Sequence, residues 1–194
     1  MRKLTLTAFM SLDGVVQGPG TAVEDTSGGF DRGGWLMPFA DADMDEIVNE
    51  WFLQADDFLF GRRTYEIFAS HWPNVIDEDN PVPTRLNKLP KYVVSTTLTS
   101  LEWSNSYLIS RDVPEEVARL KAQPGNELQV HGSGVLARTL IEHGLVDEYR
   151  LWTFPIFLGT GKRMFENGAV PRTLKLVDGR TTSTGAMVHT YVPA

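Results

Sequence analysis

The chain of 194 residues contains no cysteine, which excludes a disulfide framework, a thiolate metal site and a cysteine nucleophile. Basic residues are also scarce: 18 Lys and Arg stand against 25 Asp and Glu, a formal net charge of −7. An extended nucleic-acid surface needs clustered Lys and Arg, so no nucleic-acid partner is expected and any anion must be held locally. No apolar run approaches the roughly 18–20 residues of a membrane helix. The opening MRKLTLTAFMSLDG alternates apolar residues with threonine and stops at Asp13, a strand pattern rather than an export signal. The histidines His71, His131, His143 and His189 show no metal-binding spacing, so no metal is expected. These absences fit a cytoplasmic protein with no membrane partner.

What remains is an ordinary globular composition, with 42% hydrophobic and 22% charged residues, enough for one well-buried core. A single domain over 1–194 is expected, without repeats or linkers. Residues 3–10 read as a half-buried strand. A glycine-rich stretch over 14–39 then shows no period, and loops of that length are either binding loops and lids or disordered insertions. Met44, Ile47, Val48, Trp51, Phe52 and Ala55 recur at helical spacing over about 42–55. A short strand FLF, a helix RRTYEIFASHW stopped by Pro73, an acidic loop DEDNPVP and a short helix near 84–89 follow.

The second half continues with strand KYVVST, a weaker strand NSYLIS, helix PEEVARLKAQ, strand ELQVH, helix GVLARTLIEH and strand DEYRLWTF. Two C-terminal strands, TLKLVDG and AMVHTYV, close the chain. About eight strands and four helices in this order predict an α/β fold with a mostly parallel sheet and an antiparallel C-terminal edge.

Several familiar motifs are near misses. HGSG is not the G-x-G-x-x-G of a dinucleotide fold, and no G-x-S-x-G nucleophile elbow accompanies it. GTGKRMF lacks the first P-loop glycine, at Ile156, and has Arg163 where a magnesium-binding Ser or Thr belongs. Two strand-to-helix junctions do stand out, FLF-GRRTYEIF and LQV-HGSGVLARTLI. Each sets a glycine before a helix whose first turn offers free N–H groups and a positive dipole end, a cradle for phosphate. Two such cradles in one parallel sheet point to a diphosphate-bearing ligand across the strand ends. Arg62 and Arg63 can then answer an additional phosphate. Asp13, where the first strand meets the glycine loop, and Asp45, on the first helix, are the candidate proton-handling carboxylates. The competing readings are an Asp-Gly turn for Asp13 and a solvated face for Asp45.

In order along the chain, MSLDG, FGRRTYE, KYVVSTT and VHGSGVLARTLIEHGLVDEYRLWTFPIFLGTGKRMF resemble the RibD C-terminal family of the dihydrofolate-reductase-like superfamily. The resemblance implies a stand-alone NADPH-dependent reductase, without the deaminase domain that precedes it in bifunctional riboflavin enzymes. It places Gly61, Arg62, Arg63, Thr64, Ser95 and Thr96 at the adenosine end of NADPH, and Gly132, Ser133, Gly134 and Val135 at the diphosphate. The implied substrate is a small heterocyclic or imine-bearing metabolite, with the pyrimidine riboflavin precursor leading. A non-catalytic nucleotide-binding protein and a dihydrofolate reductase are the alternatives. Val15 after SLDG, where the riboflavin reductases commonly carry lysine, is a departure. A homodimer is also expected, because DEYRLWTF carries large side chains on both faces and such reductases usually dimerise.

Overall fold

The computed structural model describes residues 1–165 and 170–194. Eight strands form one sheet in the order β4-β3-β2-β5-β1-β6-β8-β7. They are β1 (Lys3–Ser11), β2 (Ala55–Gly61), β3 (Lys91–Val94), β4 (Ser106–Ile109), β5 (Glu127–His131), β6 (Glu148–Phe154), β7 (Leu174–Thr181) and β8 (Met187–Pro193). The first six run parallel, and β8 and β7 join antiparallel. Five helices accompany them: α1 (Ala42–Phe52), α2 (Arg62–His71), α3 (Pro81–Lys88), α4 (Val113–Ala122) and α5 (Gly134–Glu142).

Alternation along the strands builds two apolar layers, because successive side chains leave opposite faces of a sheet. On one face Leu4, Leu6, Leu128, Val130 and Leu59 pack with Val117 and Leu120 of α4 and Leu136, Ala137 and Leu140 of α5. On the other, Trp152, Phe154 and Val188 meet Met44 and Ile47 of α1, while Phe58, Phe60 and Val93 meet Tyr65 of α2 and Leu86 of α3.

The glycine-rich stretch is a folded loop. Val15, Phe30, Trp35 and Leu36 are buried in the α1 layer, and the Trp35 indole N–H donates to the Gln17 carbonyl at 2.8 Å. Four buried side chains outweigh the entropy of its glycines, so the disordered-insertion alternative does not hold. Helix α3 starts inside the stretch read as an acidic loop. Asn80 accepts from the Val82 N–H at 2.9 Å, and Pro81 takes the first helical position, where no N–H is needed. Asp41 caps α1 through the Met44 N–H, and its other oxygen accepts from Ser183 and Thr184 in the β7–β8 turn.

The structure bears on one of the two grounds on which a homodimer was expected. The chain itself buries Trp152 and Phe154 on one face of β6 and Tyr149 on the other, while Leu151 and Thr153 on that second face are half-buried. Phe157, just beyond the strand, is instead exposed.

Candidate active site

The ends of β3, β2, β5 and β1 are neighbours, and the sequence-derived candidates fall along them. Gly61 pairs with Val94, so Ser95 and Thr96 continue beside Gly61–Thr64. Leu59 pairs with Val130 and Thr7 with His131, which brings Gly132–Val135 between the β2 junction and the end of β1. Asp45 stands apart: it is exposed on the solvent side of α1.

The two helix starts are bonded to each other. Gly132 and Ser133 both adopt the left-handed conformation, with φ of 55° each. This turns the Ser133 side chain away from its own helix. Its hydroxyl donates to the His131 carbonyl at 3.1 Å and accepts from the Gly61 N–H at 3.0 Å, while the Ser133 N–H donates to Thr64 Oγ1 at 3.2 Å. Neither Gly61 before α2 nor Ser133 before α5 gives its helix a side-chain cap. Serine is normally a strong N-cap, so its diversion keeps the first-turn N–H groups of α5 for an outside acceptor. A Cβ added at Gly134 would meet nothing within 4 Å, so space lies open there. The two junctions fit a diphosphate: adjacent donor sets, positive dipole ends and open space at Gly134.

Arg62 and Arg63, on the first turn of α2, diverge. Arg62 pairs with Glu66 one turn along at 3.2 Å, and Arg63 reaches Ser27 Oγ of the glycine-rich loop at 3.3 Å. Both are about half exposed. Ser95 is buried, its Oγ accepting from the Thr97 and Leu98 N–H groups, whereas Thr96 is exposed. Val135 is largely exposed and can contribute its backbone.

Asp13 ties two distant segments together. Ser11 Oγ donates to its Oδ1 at 2.7 Å, the Leu158 and Gly159 N–H groups donate at 3.1 and 2.8 Å, and Arg163 lies 3.6 Å from Oδ2. The Ser11 bond and those two backbone donors overcome the opposing effect of burial and hold its carboxyl down to about 2. Such a group is ionised at neutral pH and has no proton to give. It fastens the end of β1 to the segment after β6.

Beside this tie lie aromatic side chains that the sequence reading did not single out for function. Phe9, Phe39 and Trp51 are partly buried around Trp152 and Phe154, with ring centroids about 6 Å apart. Trp51 had been visible only as part of a helical core stripe. Lys162 was also missed as a candidate, because GTGKR had been tested only against the P-loop. Its Nζ donates to Asp25 at 2.5 Å and Ser27 at 2.6 Å. Among the described residues no three His, Asp or Glu side chains gather as a metal site.

The RibD C-terminal domain matches residues 2–188. The chain belongs to this family. It is 30% identical to the uncharacterized protein YyaP of Bacillus subtilis (strain 168), over 98% of this chain and 94% of that protein. A protein of Shewanella sp. PV-4 assigned to riboflavin biosynthesis superposes with a TM-score of 0.76 at 21% identity, covering 99% of both chains. The dihydrofolate reductase of Enterococcus faecalis, solved with NADP(H) and RAB-propyl, superposes with a TM-score of 0.61 at 14% identity, over 98% of this chain and 96% of that one. At these identities the two structures establish a shared fold: this RibD C-terminal domain is dihydrofolate-reductase-like.

Proposed function

We propose that this RibD C-terminal protein is an NADPH-dependent reductase of a small heterocycle, with the pyrimidine precursor of riboflavin as the leading candidate. The observation that carries the reading is the pair of uncapped helix starts at the ends of β2 and β5, held together by Ser133. NADPH would supply hydride there. Gly132–Val135 would bind its diphosphate, while Gly61–Thr64 with Ser95 and Thr96 would face the adenosine end. Arg62 or Arg63 would select the 2′-phosphate, since a guanidinium matches phosphate geometry and charge.

The other duties belong to the chain as well. The Asp13 tie fixes the end of β1, next to which a nicotinamide ring would lie, and fixed placement is a large part of rate enhancement in such transfers. Phe9, Phe39 and Trp51 offer flat apolar surface for a planar heterocycle and exclude water from it. The substrate proton would come from water, because Asp13 is ionised and Asp45 faces solvent. That placement of Asp45 also disfavours folate, whose reductase needs an acid on the first helix turned toward the pterin.

Absorbance of NADPH followed with a panel of phosphoribosylated pyrimidines, dihydrofolate and cyclic imines tests the proposal. Consumption with a pyrimidine and none with dihydrofolate is expected. Saturable NADPH binding with no consumption across the panel would instead favour a non-catalytic nucleotide-binding protein.

A further inference from the structure

Segment 19–27 of the glycine-rich loop differs from the rest of that loop. Phe30, Trp35 and Leu36 are buried in the core, but Thr21, Ala22, Val23, Thr26 and Ser27 are exposed, Val23 at 83%. The segment lies between glycines in the left-handed region, Gly18 on one side and Gly28 and Gly29 on the other. Such residues are swivel points that other side chains rarely permit. Its first residues stay on the core end of the loop: the Pro19 carbonyl accepts from the Leu36 N–H at 3.1 Å, and Thr21 and Ala22 run so close to Gly33 that a Cβ there would meet their carbonyls at under 3 Å. The attachments of Asp25 and Ser27 to the body are polar. Gln17 Nε2 donates to the carbonyls of Asp25 and Ser27 at 3.0 and 2.9 Å, and the Asp25 carboxylate and Ser27 hydroxyl meet two cations.

Those cations come from different parts of the fold. Arg63 belongs to the first turn of α2 and lies 3.9 Å from Asp25 Oδ2. Lys162 follows β6, and its backbone is fixed independently of its side chain: its carbonyl accepts from the Val16 N–H and its N–H donates to Gln17 Oε1. Burial would raise the Asp25 carboxyl, but the bonds from Lys162 and Ser27 outweigh it and hold it below its ordinary range. One carboxylate thus answers an ammonium and a guanidinium that are each about half exposed. A phosphoryl group, with more charge and three acceptor oxygens, matches this pair better than a carboxylate does. The Asp25 side chain is mostly covered, but both cations stay open enough for a ligand to reach them.

We propose that Arg63 and Lys162 form a phosphoryl-binding site for which the flap's own Asp25 carboxylate competes, so that a ligand phosphate entering it releases residues 23–27. The site deepens the reductase reading, which it needs only for the identity of the ligand. Entry of the phosphate and movement of the flap are then one exchange: Lys162 and Arg63 pass from Asp25 to the ligand, and residues 23–27 turn on Gly28 and Gly29 while Pro19, Thr21 and Ala22 stay on Gly33–Leu36.

Calorimetric titration of wild type, Asp25→Asn and Lys162→Ala with NADPH, NADH, ribose 5-phosphate and inorganic pyrophosphate tests the site, with thermal melts to confirm folding. For at least one ligand, Asp25→Asn is expected to bind about tenfold tighter and Lys162→Ala about tenfold weaker, the factor that roughly 1.4 kcal/mol of relieved or lost pairing gives. Equal changes for NADPH, NADH and pyrophosphate mark the diphosphate as the source. A change for NADPH alone marks the 2′-phosphate, and one for ribose 5-phosphate alone marks a substrate phosphate. If pyrophosphate or ribose 5-phosphate shows the effect while neither dinucleotide binds the wild type, the site stands and the reductase reading falls. Unchanged or weaker binding of every ligand by folded Asp25→Asn, or Lys162→Ala binding as wild type does, overturns the site and leaves Asp25 a structural latch.

Discussion

His131 ends β5 with its ring stacked on Phe52 at 4.8 Å and its Nε2 3.1 Å from Gln129 Oε1. Gln129 Nε2 in turn donates to Glu127, which accepts two bonds from Arg150. Burial, reinforced by the Arg150 charge, pushes the His131 imidazole down to about 3. The unfolded chain takes up a proton on this residue near pH 6.5, whereas the folded one does so only near 3. Between those values the unfolded state holds more protons, so stability falls as pH falls, with a slope approaching about 1.4 kcal/mol per pH unit from this residue. Urea unfolding from pH 7 to pH 4 is expected to show a shallower pH slope in His131→Gln than in wild type. Identical slopes would mean that His131 is not held neutral. Nothing in the sequence marked this: HGSG drew attention to its glycines, and burial of the histidine depends on Phe52 and Phe58 from other elements. Asp13 was legible as a special position, but its backbone donors at 158 and 159 lie far along the chain, so the tie they make was not.

At the scale of elements, the strand-to-helix junctions were the legible part, because glycine and polar residues after an apolar run act locally. That the two junctions touch was not legible, since it needs β2 beside β5. Their contact now separates two glycines that looked alike. Gly132 has a positive φ, so any side chain there is strained whatever a ligand does. Gly134 does not, and its Cβ direction is open. Gly134→Leu should keep or slightly raise the melting temperature, since leucine is a better helix former by roughly 0.5–1 kcal/mol, while weakening NADPH binding at least about tenfold by filling the diphosphate approach. A folded variant with wild-type affinity would place the diphosphate elsewhere. Helix α3 and the packed loop were misjudged for related reasons. Pro81 and Pro83 read as breakers although the first turn tolerates them, and the loop's aromatic anchors are too widely spaced to show a period.

For the whole molecule, strand and helix alternation predicted the mixed sheet, and the antiparallel end followed from two strands with no helix between. The extent to which β6 is buried was not legible, because large side chains on both faces fit either a partner subunit or two layers of the same chain. Net charge also misleads at this scale. The chain is acidic overall, yet Arg63, Lys162 and Arg163 stand near the ends of the parallel strands, with Asp25 and Asp13 holding part of that charge and Arg62 beside them turned to Glu66. An acidic body with a local cationic mouth suits a small anionic ligand and repels a polyanion elsewhere on its surface. The central claim is that this mouth takes NADPH, and equilibrium titration of wild type, Arg62→Ala and Arg63→Ala with NADPH and NADH tests it most directly. Wild type is expected to prefer NADPH by about 10- to 150-fold, the span that one charge-assisted phosphate contact of roughly 1.5–3 kcal/mol gives, with the preference lost in at least one variant. Equal affinity of the wild type for both cofactors, or no binding of either, would contradict it.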